Sequence, residues 1–164
     1  MRQSTRVLAV AFALSGGLAV AACGSAGPWT PPAHPAVVSL HRGGAGGYLI
    51  DGGGSPLYVF ARDINTVSVC NWTCSARWLP LTTAGSPDAT LGVDGDLLGT
   101  TDRQDGTTQV TYRGHPLYRL VGDRDPDSAA GAGRLEFGGR WWLVSPAGDA
   151  LTGGGPVPLP LRGA

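Results

Sequence analysis

From residue 48 onward, apolar residues recur in short runs, and turn residues close most of these runs. Tyr48-Leu49-Ile50-Asp51 reads as a strand, Gly52 to Ser55 as its turn, and Pro56-Leu57-Tyr58-Val59-Phe60 as the returning strand of a β-hairpin. A period of two sends Leu57 and Val59 to one face and Tyr58 and Phe60 to the other. Leu97 to Thr101 and Thr107 to Tyr112 flank Gln104-Asp105-Gly106, and an Asp-Gly step between two such runs is a strong hairpin signal. Arg113-Gly114 turns the chain into Pro116 to Leu120. Arg134 to Phe137 and Arg140 to Val144 flank Gly138-Gly139. No helical period persists beyond the leader, apart from one or two turns over Thr73 to Trp78 stopped by Pro80. The pattern predicts an all-β, mainly antiparallel fold with a short cross-linked loop or helical turn.

The pattern also repeats. Gly54-Ser55-Pro56-Leu57-Tyr58-Val59-Phe60-Ala61-Arg62-Asp63 returns 60 positions later as Gly114-His115-Pro116-Leu117-Tyr118-Arg119-Leu120-Val121-Gly122-Asp123. Gly, Pro, Leu, Tyr and Asp match without a gap. Self-similarity of this kind predicts two related β-hairpin or meander repeats.

The first residues break this pattern. Arg2 and Arg6 precede an apolar run, Val7 to Val20, that is too short and too glycine-rich for a spanning helix. Val20-Ala21-Ala22-Cys23 follows and resembles a bacterial lipobox, which implies cleavage before Cys23 and diacylglycerol on its sulfur. An ordinary signal peptide is the alternative. Residues 1–22 are then a lipoprotein signal peptide, 23–46 a Pro/Gly-rich tether, 47–151 the two-repeat β domain and 152–164 a flexible tail. His34 and His41 fall in the tether and are expected to be solvated. Lipid anchoring would place the domain on the extracytoplasmic face of the cell membrane, with the bilayer as its partner.

Composition narrows the partners and the chemistry. All 12 basic residues are arginines against 12 acids, with zero net charge and no basic block, so a nucleic-acid footprint is absent. With Cys23 lipidated, Cys70 and Cys74 remain as a pair in an oxidising compartment. Their spacing brings them together on a helical turn, within reach of a disulfide. A redox dithiol or half of a metal site stays open beside that structural reading.

Tyr58-x-Phe60-x-x-Asp63, Cys70-x-x-x-Cys74 and Trp78-Leu79-Pro80-Leu81 together resemble a known family, the bacterial secreted lipoprotein repeats with a Tyr-x-aromatic-x-x-Asp motif. Leu98-Gly99-Thr100, Arg103-Gln104-Asp105-Gly106, Gln109-Val110-Thr111-Tyr112 and Phe137-Gly138-Gly139-x-Trp141 extend the likeness over about residues 47–150. Leu120 departs from the motif, standing where the second copy should be aromatic. The resemblance implies an envelope location and no established activity. Some members are linked by association to alkane metabolism, which no residue here supports.

The remaining chemistry is thin. Tyr58 and Tyr118 read as repeat-closing residues or, less simply, as a ligand-binding pair. Asp63 and Asp123 are placed to accept backbone N–H groups of the turns that follow them. Asp123, Asp125 and Asp127 alternate as in calcium loops, but Ser128 replaces the required glycine and Arg134 the bidentate glutamate. His115 is expected on the surface of a strand, and no nucleophile elbow accompanies it. No catalytic residue and no cofactor is identified. The expectation is a non-catalytic binding or scaffolding module with an envelope protein or small ligand as partner. The alternatives are a redox or metal-handling lipoprotein using Cys70 and Cys74, and a hydrolase built on His115.

Overall fold

A computed structural model describes residues 32–43, 47–90 and 92–159; the leader and Cys23 lie outside the described residues. The strands in chain order are β1 (Val37–His41), β2 (Tyr48–Asp51) and β3 (Tyr58–Phe60), then a short helix α1 (Thr73–Arg77). There follow β4 (Trp78–Pro80), β5 (Asp88–Ala89), β6 (Leu98–Asp102), β7 (Thr108–Tyr112), β8 (His115–Pro116) and β9 (Tyr118–Leu120). The last four are β10 (Leu135–Glu136), β11 (Gly139–Val144), β12 (Ala150–Thr152) and β13 (Gly155–Val157). All the strand pairs are antiparallel except β1 with β5. The fold is all-β, as the alternation predicts.

The main sheet runs β13-β12-β11-β3-β9-β4, with β10 on β11. At its centre Tyr58 of β3 stands opposite Tyr118 of β9. On the outer side of β3, Phe60, Val59 and Tyr58 face Trp141, Trp142 and Leu143. On the outer side of β9, Leu120, Arg119 and Tyr118 face Trp78, Leu79 and Pro80. The two halves are therefore related by a local two-fold axis between β3 and β9, and each motif strand is flanked by a strand that sets a tryptophan opposite its third residue, Trp141 against Phe60 and Trp78 against Leu120.

Alternation on β3 sorts the core. Tyr58 and Phe60 enter a cluster with Trp78, Tyr118, Trp141 and the Cys70–Cys74 pair. Leu57 and Val59 enter a second, mostly aliphatic cluster with Val38, Leu49, Val110, Leu117 and Val144. Both faces of β3 are buried, which accounts for the apolar character of both parities along it, whereas on β9 the half-buried Arg119 pairs with Asp51 at 3.2 Å. The second face is covered by residues of two three-stranded sheets, β2-β1-β5 and β6-β7-β8.

Three expectations need correction. The stretch assigned to the tether contains β1, whose Val38 is fully buried and whose residues pair with β2 from Val38↔Asp51 to His41↔Tyr48. Prolines on one side and glycines on the other conceal an alternating Val-Val-Ser-Leu-His strand. The stretch assigned to the flexible tail contains β13, paired with β12 through Leu151↔Pro156. Finally, β2 and β3 are not two full arms of one hairpin. The turn forms, with the Asp51 N–H donating to Ser55 O at 2.9 Å, and Ile50 bridges Pro56. Beyond it β3 departs to join β11 and β9.

The predicted β6–β7 hairpin forms in register from Leu98↔Tyr112 to Asp102↔Thr108. The β10–β11 hairpin forms too, but its turn sits one residue earlier than Gly138-Gly139. Phe137 and Gly138, with φ of 54° and 76°, are its central residues. Positive φ at both central positions is the type I′ signature, whose twist matches that of the flanking strands.

Candidate functional site

The motif residues meet at the two-fold axis, and they meet across copies. After each motif strand the chain makes the same turn: the Asp63 N–H donates to Phe60 O at 3.0 Å, and the Asp123 N–H to Leu120 O at 3.1 Å. Both carboxylates are thereby brought back toward the sheet. The Tyr58 hydroxyl donates to Asp123 Oδ2 at 2.5 Å, and the Tyr118 hydroxyl donates to Asp63 Oδ2 at 2.8 Å. Each tyrosine is tied to the aspartate of the other copy. A repeat made this way cannot close on itself alone.

Each aspartate also gathers the loop that follows it. Asp63 Oδ1 accepts the Val69 N–H at 2.9 Å, as expected of a turn-capping carboxylate. Asp123 Oδ1 accepts the Ser128 hydroxyl instead. The Tyr58 oxygen accepts the Gly131 N–H at 3.0 Å. Glycine is required there, since a Cβ at 131 would lie 2.7 Å from atoms of both the Tyr58 and Trp78 rings.

The rings around this centre form a continuous stack. Phe60 lies on Trp141 with centroids 4.1 Å apart, and Trp141 lies on Trp78 at 3.9 Å. Tyr58 meets Trp78 edge-on at 5.3 Å, and Tyr118 meets Trp141 edge-on at 5.2 Å. Leu120, the departure from the motif, takes the place related to Phe60 and pairs across the strands with Trp78. The stack is consequently one-sided.

Burial sets the protonation of the network. Desolvation and the neighbouring Asp123 raise Tyr58 far above the usual phenol value, and desolvation with Asp63 does the same to Tyr118. Both hydroxyls stay protonated and donate to the aspartates. Desolvation pushes Asp63 up to about 7, against the opposing pull of the Val69 N–H, the Tyr118 hydroxyl and Arg103.

Arg103 is the member of this network that sequence reasoning missed. Its side chain is 1% exposed. Its Nη1 donates to Ser68 Oγ and Gln109 Oε1, both at 2.7 Å, and its Nη2 to Cys70 O at 2.9 Å and Asn71 Oδ1 at 3.1 Å. Its Nε donates to Asp105 Oδ2 at 3.1 Å. Ser68 Oγ lies 2.6 Å from the Tyr118 hydroxyl, so the arginine reaches the Tyr118–Asp63 pair through it. The signal available was Arg103-Gln104-Asp105-Gly106 in a hairpin tip, where a charged residue ordinarily faces water.

Cys70 and Cys74 form a disulfide with Cα atoms 5.2 Å apart, and both are buried, at 0% and 6% exposure. The three acids of the alternating segment diverge. Asp123 turns inward to Tyr58, Asp125 accepts the Asp127 N–H at 2.9 Å, and Asp127 pairs with His41 at 3.0 Å. Among the described residues no three His, Cys, Asp or Glu side chains converge as a metal site would require. His41, expected to be solvated, belongs to β1 and packs on the Tyr48 ring at 5.0 Å.

His115 is also placed differently from expectation. It is buried, not on the strand surface, and burial with the adjacent Arg113 lowers its pKa. It lines a pocket of about 40 Å³ with Arg113, Asp149 and Leu159. Ligand pockets usually measure about 300–1,000 Å³, so this one is too small for an organic substrate. Arg113 is already engaged with Asp149 at 2.8 Å.

Residues 99–145 match a family model described as a secreted repeat of unknown function. The matched stretch runs from β6 to just beyond β11 and so coincides with the second structural copy. The resemblance read from the motifs thus stands over that stretch, and the match accords with a protein that works outside the cytoplasm. No curated protein and no solved structure matches the chain.

Proposed function

We propose that this protein is an extracytoplasmic lipoprotein, held to the cell membrane by diacylglycerol on Cys23, whose two-repeat domain binds or scaffolds and does not catalyse. The observation that carries the non-catalytic reading is the cross-bonding of Tyr58 with Asp123 and of Tyr118 with Asp63. The tyrosines and aspartates of the repeated motif are spent on holding the two copies together. Among the described residues, the buried side-chain polar atom without a partner is Arg119 Nε, which is not part of the Tyr–Asp network. The buried disulfide supports a structural rather than a redox role for Cys70 and Cys74. The lipobox and the match to a secreted repeat support the location.

Mass spectrometry of the amino-terminal peptide, from protein extracted out of the membrane fraction, tests the anchor. The expected product begins at Cys23 and carries a diacylglycerol adduct. An uncleaved leader, or an unmodified Cys23, would sink the location. Crosslinking in intact cells is expected to capture a defined envelope partner of the domain.

A further inference from the structure

The loop between Asp63 and the disulfide combines an absence of charge with large exposed apolar side chains. From Ile64 to Trp72 it contains no charged residue. Four of its side chains are large, apolar and exposed: Ile64 at 51%, Val67 at 55%, Val69 at 38% and Trp72 at 86%. The loop is nevertheless held in place. Ile64 and Val67 exchange backbone hydrogen bonds at 3.1 and 2.9 Å, Asp63 holds Val69, Arg103 holds Cys70 and Asn71, and the disulfide closes its end. Trp72 has φ 54° and ψ −116°, a conformation that costs a bulky residue about 1–3 kcal/mol. An indole held in that conformation and left in water contributes little to folding.

A second tip adjoins the loop. Arg62 donates to Phe137 O at 3.2 Å, which brings the exposed Phe137 of the β10–β11 turn beside the start of the loop. The charges at this junction are Arg62, Arg77 and Arg134 against Glu136 and the inward-turned Asp63. The Glu136 carboxylate is bound by Arg77, Arg134 and the Trp78 Nε1–H. Asp105, linked to the loop through Arg103, is likewise neutralised by it. An apolar tip carrying tryptophan, rimmed by an excess of arginine, is chemically suited to an anionic lipid surface. The other exposed side chains of the loop are the aliphatic Ile64, Val67 and Val69 and the uncharged Asn65 and Thr66.

Chain length supports the same occupant. Only 13 residues, Gly24 to Ala36, separate Cys23 from Val37, the start of β1. A fully extended chain of that length reaches about 50 Å at most, so a domain anchored at Cys23 stays close to the bilayer. We propose that the Ile64–Trp72 loop is a second membrane contact, inserting Trp72 and its aliphatic neighbours into the headgroup region of an anionic bilayer and fixing which face of the domain looks outward. The choice of bilayer rests on the Cys23-anchored reading above.

The test uses the chain from Gly24 onward, so no lipid is attached. All the strands, both core clusters and the disulfide lie inside the compact unit Pro31–Ala164 that it contains. Co-sedimentation with vesicles of phosphatidylcholine and phosphatidylglycerol is expected, weakened by high salt. Trp72→Ala is expected to lower the partition coefficient roughly tenfold, the scale of losing a partly buried indole, while Trp72→Phe keeps most of it. Near-ultraviolet circular dichroism of both variants should match the parent, because the indole is mostly exposed. No sedimentation with vesicles, or a Trp72→Ala partition within twofold of the parent, overturns the proposal. Trp72-dependent self-association or binding to peptidoglycan in place of vesicles also overturns it. Because Cys23 is absent from this chain, these outcomes are independent of whether the natural protein is lipidated, which the mass of the amino-terminal peptide decides.

Discussion

Asp63 shows how one residue can set a dependence on pH. Its pKa stands at about 7 in the folded protein against an ordinary 3.8, with desolvation the main cause. A carboxylate raised on folding keeps its proton in the native state while the unfolded chain has already released it. Between roughly pH 4 and 7 the native state therefore binds the extra proton, and stability falls as pH rises, by about 1.4 kcal/mol per unit. Other groups pull the opposite way. Asp105 and Glu136 are lowered, so their contributions are lost as pH falls, and His115 is lowered, so protonation disfavours the fold in acid. The Asp63 contribution must be isolated by difference. Asp63→Asn keeps an oxygen for the Val69 N–H and removes the titration. Wild type is expected to lose stability relative to Asp63→Asn as pH rises from 4 to 7, measured by urea denaturation at each pH. A stability difference that stays flat across that range rules out the raised pKa.

At the scale of elements, the decisive feature is that each Tyr-x-x-x-x-Asp unit is completed by its twin. A double-mutant cycle reads this directly. Tyr58→Phe and Asp123→Asn are expected to couple by about 1–3 kcal/mol, because either change alone leaves a buried partner without its hydrogen bond. Tyr58→Phe and Asp63→Asn, which pair the residues within one copy, are expected to add within about 0.5 kcal/mol. Equal coupling in both cycles, in urea denaturation, would contradict the crossed arrangement. This crossing was only partly legible in the sequence. The 60-residue offset picked out Tyr58, Asp63, Tyr118 and Asp123 and the strands that bear them. It could not say whether each tyrosine meets its own aspartate or the other, since that depends on how two copies pack. Hairpins with local turn chemistry, such as Asp105-Gly106, were readable because their pairing is decided within a few residues. The pairing of β3 with β9 and β11 spans many residues and leaves no local trace. Arg103 was illegible for a related reason: a hairpin-tip arginine is buried here only because the disulfide loop of the other copy folds over it.

At the scale of the molecule, the crossed centre redefines the repeat. The first copy begins with β1, not at residue 47, because β1–β2 stands to β3 as β6–β7 stands to β9. Leu57 N–H donates to Leu49 O and Leu117 N–H to Val110 O, each at 2.9 Å, so the step from the outer sheet into the motif strand is the same in both copies. A chain starting at Gly47 would lose the fully buried Val38 and four β1–β2 register pairs, and would leave β5 without its strand partner. Val38 alone is worth about 1.5–3 kcal/mol of burial. With the exposed edge of β2 added, the expected loss is at least about 3 kcal/mol, out of the roughly 5–15 kcal/mol that holds a domain folded. A chain starting at Pro31 keeps every described strand and should unfold at the same urea concentration as the chain starting at Gly24. The Gly47 chain should unfold at a much lower one, or fail to fold. Equal midpoints for the two chains would return β1 to the tether and place the boundary of the domain where sequence composition alone had put it.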